Sequence, residues 1–242
     1  MKYFKKLRVF GDSFSTPSFM VDPKDSFWGL SASFMGIPEI DNLSRPANNL
    51  DSICHAVITN NQKFDWGSDL FFICVPPLER IAVFDFHKDT QFIGKQISTV
   101  DWNASDLVCE SLHGIISLAH FGKDRRIVAF YERSWTEVNV LRTLFLLTEW
   151  LDSKNASYLI MNMSKPLDSN NRWRPSEFIL DHMMAHPRCL LFGDTYQSIN
   201  ENVHKPPDFD RYGWNGHHGP EGNKRFFDLL VKPKIEKEIM LL

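Results

Sequence analysis

The sequence predicts a three-layer α/β/α domain built on a mainly parallel central sheet, a flavodoxin-like arrangement. Three observations carry the prediction. Short, continuous apolar runs, above all Asp69-Leu-Phe-Phe-Ile-Cys-Val75, read as strands covered on both faces. Segments of helical spacing lie between such runs, so strands and helices alternate at the interval of βαβ units. No internal repeat or low-complexity linker breaks the series. A chain of 242 residues with 43% hydrophobic content is enough to bury one such core, and residues 1–242 read as a single domain.

The elements follow in order. Leu7, Val9 and Phe10 make a short buried strand that runs directly into Gly11-Asp12-Ser13-Phe14-Ser15. After a polar loop, Phe27 to Met35 reads as a helix with Phe27, Leu30 and Phe34 on one face, closed by Gly36 and Pro38. Glu39 to Leu43 is a second strand, which empties into Ser44-Arg45-Pro46-Ala47-Asn48-Asn49 before a helix from about Leu50 to Thr59. The Asp69–Val75 strand is stopped by Pro76-Pro77. Residues 84–101 carry mixed signals, either a hairpin or an irregular excursion lying over the active face, and read as an insertion.

Asn103-Ala-Ser-Asp106 is expected to cap a helix running to about His120, while Ile127–Tyr131 fits strand or helix. Ser134-Trp-Thr-Glu137 has the form of a capping box, and Val138, Leu141, Leu144, Phe145, Thr148 and Leu151 follow at helical spacing. Lys154-Asn155 leads to a strand at Tyr158–Met161. A loop, a helix at Ser176–Ala185 and a strand near Cys189–Phe192 come next. Asn200 to Gly216 reads as loop. The last helix starts at Pro220, a residue suited to a first helical position, and is expected to be interrupted by Pro233. That leaves a tail at 233–242 whose apolar end, Ile239-Met-Leu-Leu242, is either a homodimer contact or packs on its own domain.

Composition excludes several functions. A net charge of -3 gives no electrostatic case for nucleic acid or an anionic membrane as partner. No segment approaches the roughly 20 apolar residues of a membrane span. The apolar run behind the basic N-terminus is too short for a signal peptide. The 4 cysteines, Cys54, Cys74, Cys109 and Cys189, are scattered with no CxxC pair, as expected of free thiols in a cytoplasm. Twenty Phe and 7 Trp imply either a Phe-rich core or an aromatic binding face.

The chemistry begins at Ser13. A buried strand that meets a glycine, an acid and a serine delivers the serine to the carboxyl edge of the sheet, where open α/β folds place their ligands. Gly-Asp-Ser-Phe-Ser in this setting resembles the GDSL signature of the SGNH hydrolases, whose serine is the nucleophile. A serine hydroxyl needs a base to take its proton. Gly216-His217-His218-Gly219-Pro220-Glu221-Gly222 lies where that family carries its histidine, and the spacing of His217 to Gly222 favours His217 over His218 as general base. The family places an acid shortly before the histidine. Trp214 and Asn215 stand there instead, so Asp210 is the expected orienting acid, with Asp208 and a neutral Asn215 as alternatives.

The resemblance extends to Asn42-Leu43-Ser44-Arg45-Pro46-Ala47-Asn48-Asn49, which is similar to the second block of bacteriophage-encoded members, with Ala47 where they have glycine. It implies an oxyanion hole made of the N–H groups of Ser13 and of the Ala47–Asn48 turn, with an amide side chain from Asn48 or Asn49. The third block departs further: Cys74-Val75-Pro76-Pro77-Leu78-Glu79-Arg80 has no asparagine, although Pro77 and Arg80 echo a phage-type run. What the family implies is an esterase needing no cofactor and acting on an O-acyl group of a carbohydrate or small molecule. The alternative is an inactive member of the same fold that binds glycan or protein, as a virion or host-takeover component.

Other chemistries fare worse. Asp181-His182-Met-Met-Ala-His186 sets two imidazoles one turn apart near Cys189, as a zinc site would, but the glutamate of His-Glu-x-x-His is missing and Pro187 ends the helix. No metal site is expected. Phosphate-binding loops fail for want of glycines after a strand.

Overall fold

The computed structural model describes residues 3–16, 22–45, 48–76, 81–84, 107–110, 115–118, 133–164, 166–167, 177–200 and 219–240. The strands among them are β1 (Lys6–Phe10), β2 (Glu39–Asn42), β3 (Asp69–Val75), β4 (Ile81–Phe84), β5 (Leu107–Glu110), β6 (Ile115–Leu118), β7 (Ser157–Asn162) and β8 (Cys189–Leu190). A five-stranded sheet has the order β2-β1-β3-β7-β8, and every neighbouring pair in it is parallel. Numbered within this sheet alone, the order is 2-1-3-4-5. That is the flavodoxin-like winding, whose crevice opens where the chain reverses direction across the sheet, between β1 and β3.

Helices cover both faces, as parallel sheets require. The helices are α1 (Phe27–Met35), α2 (Leu50–Thr59), α3 (Arg133–Ser153), α4 (Glu177–Ala185), α5 (Tyr196–Ile199), α6 (Pro220–Phe226) and α7 (Lys232–Glu238), the last two joined by a π-helical turn at Phe227–Val231. On one face α2, α3 and α4 press Ile53, Val57, Leu141, Leu144, Leu151 and Met183 onto Phe10, Phe71, Ile73 and Ile160. On the other, α1 and the C-terminal helices press Phe27, Trp28, Phe226, Val231 and Ile235 onto Leu7, Val9, Phe72 and Leu159. β3 is buried at every position, as its unbroken apolar run predicts. Gly36, at φ 65°, and Asn155, at φ 57°, give the left-handed turns that close α1 and α3.

Several expectations need correction. Where a helix is expected from Asn103 to His120, the described residues are strands: β5 and β6 form with β4 an antiparallel sheet in the order β4-β6-β5. Val108, Ile115 and Ile116 are β-branched and Gly114 weakens a helix, so cross-strand pairing with β4 prevails over a marginal helical period. Helix α3 begins at Arg133, which puts Ser134 inside its first turn instead of at the cap. Phe34 is 37% exposed; the buried face of α1 is Phe27, Trp28, Ser31 and Ala32, while Phe34 lies beside Phe227 and under Lys232.

Pro233 does not end the last helix. The π-helical turn immediately before it, in which the Lys232 N–H reaches back to the Phe227 carbonyl, accommodates the missing donor, and the helix continues to Glu238. Ile239 is fully buried in the domain's own core. The short helix α5 is unanticipated; Thr195 and Ser198 cap it reciprocally. Residues 85–101 of the expected excursion and the 127–131 segment lie outside the described residues.

The sheet also carries one buried ion-pair cluster. Arg8, on β1, donates from Nε to Asp69 Oδ2 at 2.9 Å, pairs with Asp41 on β2, and donates to the Lys63 carbonyl at 3.0 Å. Asp69 accepts the Asp65 N–H as well, at 3.1 Å. Breaking a buried pair leaves an uncompensated charge. Asp69→Ala is expected to lower the unfolding free energy by about 3–5 kcal/mol in urea denaturation.

Candidate active site

The site is built at the exit of β1. Gly11 is required there by close approach: a Cβ on it would lie 2.1 Å from Ser15 Oγ and 2.8 Å from Cys74 Cβ on β3. The chain then turns tightly around the Asp12 carbonyl. That oxygen faces the N–H groups of Ser15 and Thr16, at 3.1 and 3.0 Å, and their hydroxyls at 3.2 and 2.8 Å. The Asp12 carboxylate accepts the Phe14 N–H at 3.2 Å, an Asx turn that spans Ser13. Ser13 therefore sits at the top of a doubly fastened turn, 6% exposed, at the carboxyl edge of β1.

The loop after β2 is stitched to this turn. Asn42 Nδ2 donates to the Ser15 carbonyl at 2.6 Å, and Asn42 Oδ1 accepts the Ser44 N–H at 2.9 Å. The Arg45 N–H and Asn48 Nδ2 both donate to the Gly11 carbonyl, at 3.1 and 3.3 Å. Asn49 then caps α2 by accepting the Ser52 N–H at 2.8 Å. The structure thus brings Ser13 and Asn48, two of the residues singled out by sequence, to one edge. It also commits the Asn48 main-chain N–H to the Arg45 carbonyl, at 3.2 Å, while the Asn48 carboxamide ties the loop to the Gly11 carbonyl.

On the other side, the Phe14 ring packs edge-on against Tyr196 with centroids 5.7 Å apart. Asn223 Nδ2 donates to the Tyr196 hydroxyl at 3.4 Å and to the Gly219 carbonyl at 3.1 Å. Asn223 Oδ1 accepts the Phe27 N–H at 3.1 Å, and Asn200 Nδ2 donates to the Gly222 carbonyl at 3.3 Å. The first turn of α6 is thereby fixed to α1, to α5 and, through Tyr196, to the residue next to Ser13. At the end of β7, Asn162 Oδ1 accepts the Ser164 N–H at 3.0 Å and Thr195 Oγ1 donates to the Ser164 carbonyl. Sequence reading missed Asn162, Tyr196 and Asn223. Only the position of Asn223 beside Gly222, in the resembling block, pointed toward any of them.

His217, His218, Asp210, Asp208, Trp214, Asn215, Ala47, Pro77 and Arg80 lie outside the described residues. Burial pushes the thiols of Cys54, Cys74 and Cys189 well above the ordinary thiol range, which leaves these three poor nucleophiles. Among the described residues, no group of three or more His, Cys, Asp or Glu side chains is arranged to hold a metal ion. None of their helices is long and apolar enough to cross a membrane.

No protein-family model matches the chain, and no curated protein matches it. Solved structures do. TesA is similar at 11% identity over 96% of this chain and 98% of its own, with a TM-score of 0.49. A member of the lipolytic G-D-S-L family from Veillonella parvula is similar at 10% identity over 98% and 99%, with a TM-score of 0.46. An acetylxylan esterase from Geobacillus stearothermophilus is similar at 11% identity over 97% and 96%, with a TM-score of 0.42. Likeness of this order concerns the course of the backbone.

Two substitutions test the turn itself. Gly11→Ala is expected to destabilise by about 1–3 kcal/mol through overpacking against Ser15 and Cys74. Asn42→Ala strands the Ser44 N–H and the Ser15 carbonyl, at a cost of about 1–3 kcal/mol. Thermal denaturation measures both.

Proposed function

We propose that the protein is a serine ester hydrolase of the SGNH type, resembling the bacteriophage-encoded members. It would remove an O-acyl group from a carbohydrate or small molecule. The observation that carries the reading is the Ser13 turn: a nearly buried serine held at the carboxyl edge of β1, at the reversal point of a parallel sheet, and fastened on both flanks. One flank is the 42–49 loop. The other is the helix that starts at Gly219-Pro220, two residues after His217.

In the proposed reaction Ser13 Oγ attacks the ester carbonyl carbon while His217 takes its proton. Asp210 orients the imidazole and stabilises its protonated form. The oxyanion of the tetrahedral intermediate is held by the N–H groups of Ser13 and Ala47, in donor interactions worth about 3–4 kcal/mol each, while Asn48 fixes the turn that carries Ala47 through its bond to the Gly11 carbonyl. Collapse breaks the bond to the alcohol, which leaves with the proton from His217. Water then attacks the acyl-Ser13 ester, again giving its proton to His217, and the acid departs as Ser13 is restored.

The commitment of the Asn48 main-chain N–H to Arg45 favours, as a second reading, a binding module that keeps the fold without turnover. Hydrolysis of short-chain p-nitrophenyl esters separates the two. The esterase reading expects wild-type turnover that falls roughly a thousandfold or more in Ser13→Ala and in His217→Ala, with a fluorophosphonate labelling Ser13. Equal background rates in wild type and Ser13→Ala, without labelling, would sink it.

A further inference from the structure

Away from the Ser13 edge, the corner formed by α3, α4, β7 and β8 encloses His186, a residue only 9% exposed. Its ring is spoken for on both sides. Nδ1 accepts the N–H of Arg188 at 3.3 Å, two residues on. Nε2 lies 3.2 Å from the Tyr158 hydroxyl and 3.6 Å from Asp152 Oδ2, and the Tyr158 hydroxyl itself donates to Asp152 Oδ1 at 2.9 Å. These partners select one neutral tautomer, with the proton on Nε2 and a bare Nδ1.

The turn that this ring closes seats an edge strand. The Cys189 N–H donates to the His186 carbonyl at 3.2 Å, and the Ile160 N–H on β7 donates to the Arg188 carbonyl at 2.9 Å. The Arg188 guanidinium reaches Asp152 Oδ1 at 3.3 Å and the Ala156 carbonyl at 3.2 Å. β8 contributes only Cys189 and Leu190 to the sheet, so its two ladder partners are held largely by this turn. A second proton on His186 would sit on Nδ1, facing the Arg188 N–H, donor against donor.

We propose that His186 is an acid-released latch on β8: protonation of its ring breaks the 186–188 turn and frees the edge strand from β7. The charges around it come from every packed element. Asp152 on α3 attracts a proton to the ring. Arg188 in the turn and His182, one turn earlier on α4 with its ring centroid 5.5 Å away, oppose it. Glu149 faces His182 at 3.5 Å, Tyr158 comes from β7, Cys189 from β8, and Lys234 on α7 donates to the Pro187 carbonyl at 2.9 Å.

Burial is the largest influence on the ring and holds its pKa below the ordinary 6.5; Asp152 works against it, and His182 and Arg188 add to it. A histidine with a lowered pKa in the closed state is protonated first in the open state. Closure is therefore at full strength above the ordinary value and weakens as pH falls through the window between the two pKa values.

Amide hydrogen exchange, corrected for the intrinsic pH dependence of exchange, reads the latch at the Ile160 and Cys189 amides between pH 7.5 and 5.5. Wild type is expected to lose protection there severalfold, with β1 and β3 unchanged. In His186→Asn the side-chain oxygen still accepts the Arg188 N–H and does not titrate, so protection should be independent of pH. A wild type with flat protection, or a variant as pH-sensitive as wild type, overturns the proposal. Should the variant fail to fold, the His186 ring resonance in wild type decides: titration below free histidine, tracking the loss of Ile160 protection, upholds the latch, and titration at or above it refutes it.

Discussion

Two donors from the loop after β2, the Arg45 N–H and the Asn48 carboxamide, meet on the Gly11 carbonyl oxygen, and the arrangement of the sheet's carboxyl edge depends on them. A strand buried on both faces that ends in polar residues has two ways to satisfy its last carbonyl: another strand residue or a turn. The neighbouring loop supplies the answer here. Because the bond partners come from residues 45 and 48, the Ser13 turn cannot form in its observed shape until β2 lies beside β1. Local sequence gives the turn its residues; a non-local contact gives it its shape.

The same edge shows a repeated device. Asp12 beyond β1, Asn42 at the end of β2 and Asn162 at the end of β7 each accept the N–H two residues on. An Asx turn is economical at a strand exit, because one side chain satisfies a backbone donor that the strand ladder does not use. Asn42 and Asn162 also spend their second amide function on a neighbouring segment, at the Ser15 and Leu191 carbonyls. The rim is therefore a set of short linked turns, and Phe14, Tyr196, Phe27 and Phe226 pack beside it with edge-on and tilted ring contacts. Some of the high aromatic content is accounted for in this way, as core.

How much of this was legible in the sequence follows from where the determining contacts lie. β3 could be read from six consecutive apolar residues, Leu70 to Val75, and α2 was legible as a helix from about Leu50 to Thr59. Ser13 stood out because a polar triplet interrupts a buried strand. The 107–118 region misled because short apolar stretches fit either period, and the pairing with β4 that decides the matter is invisible locally. Asn223 escaped notice for the same reason: its carbonyl oxygen serves Phe27, 196 residues away in the chain. The exposure of Phe34 follows from the C-terminal helix, whose Lys232 and Phe227 reach it only in the folded state.

The π-helical turn at Phe227–Val231 bears on the phase of everything after it. Among the buried residues of the C-terminal helix, Asn223, Phe227, Val231, Ile235 and Ile239 recur every fourth position. In a regular α-helix such a set advances by about 40° at each step, and over its whole length it would swing from the sheet toward solvent. One widened turn retards that drift and keeps the seam facing inward. Residue count between Phe227 and Val231 is thus a geometric quantity. Wound as a regular α-helix, the same residues would turn Ile235 and Ile239 by about 100° while leaving every side chain's hydrophobicity unchanged, so the seam depends on the widened turn itself.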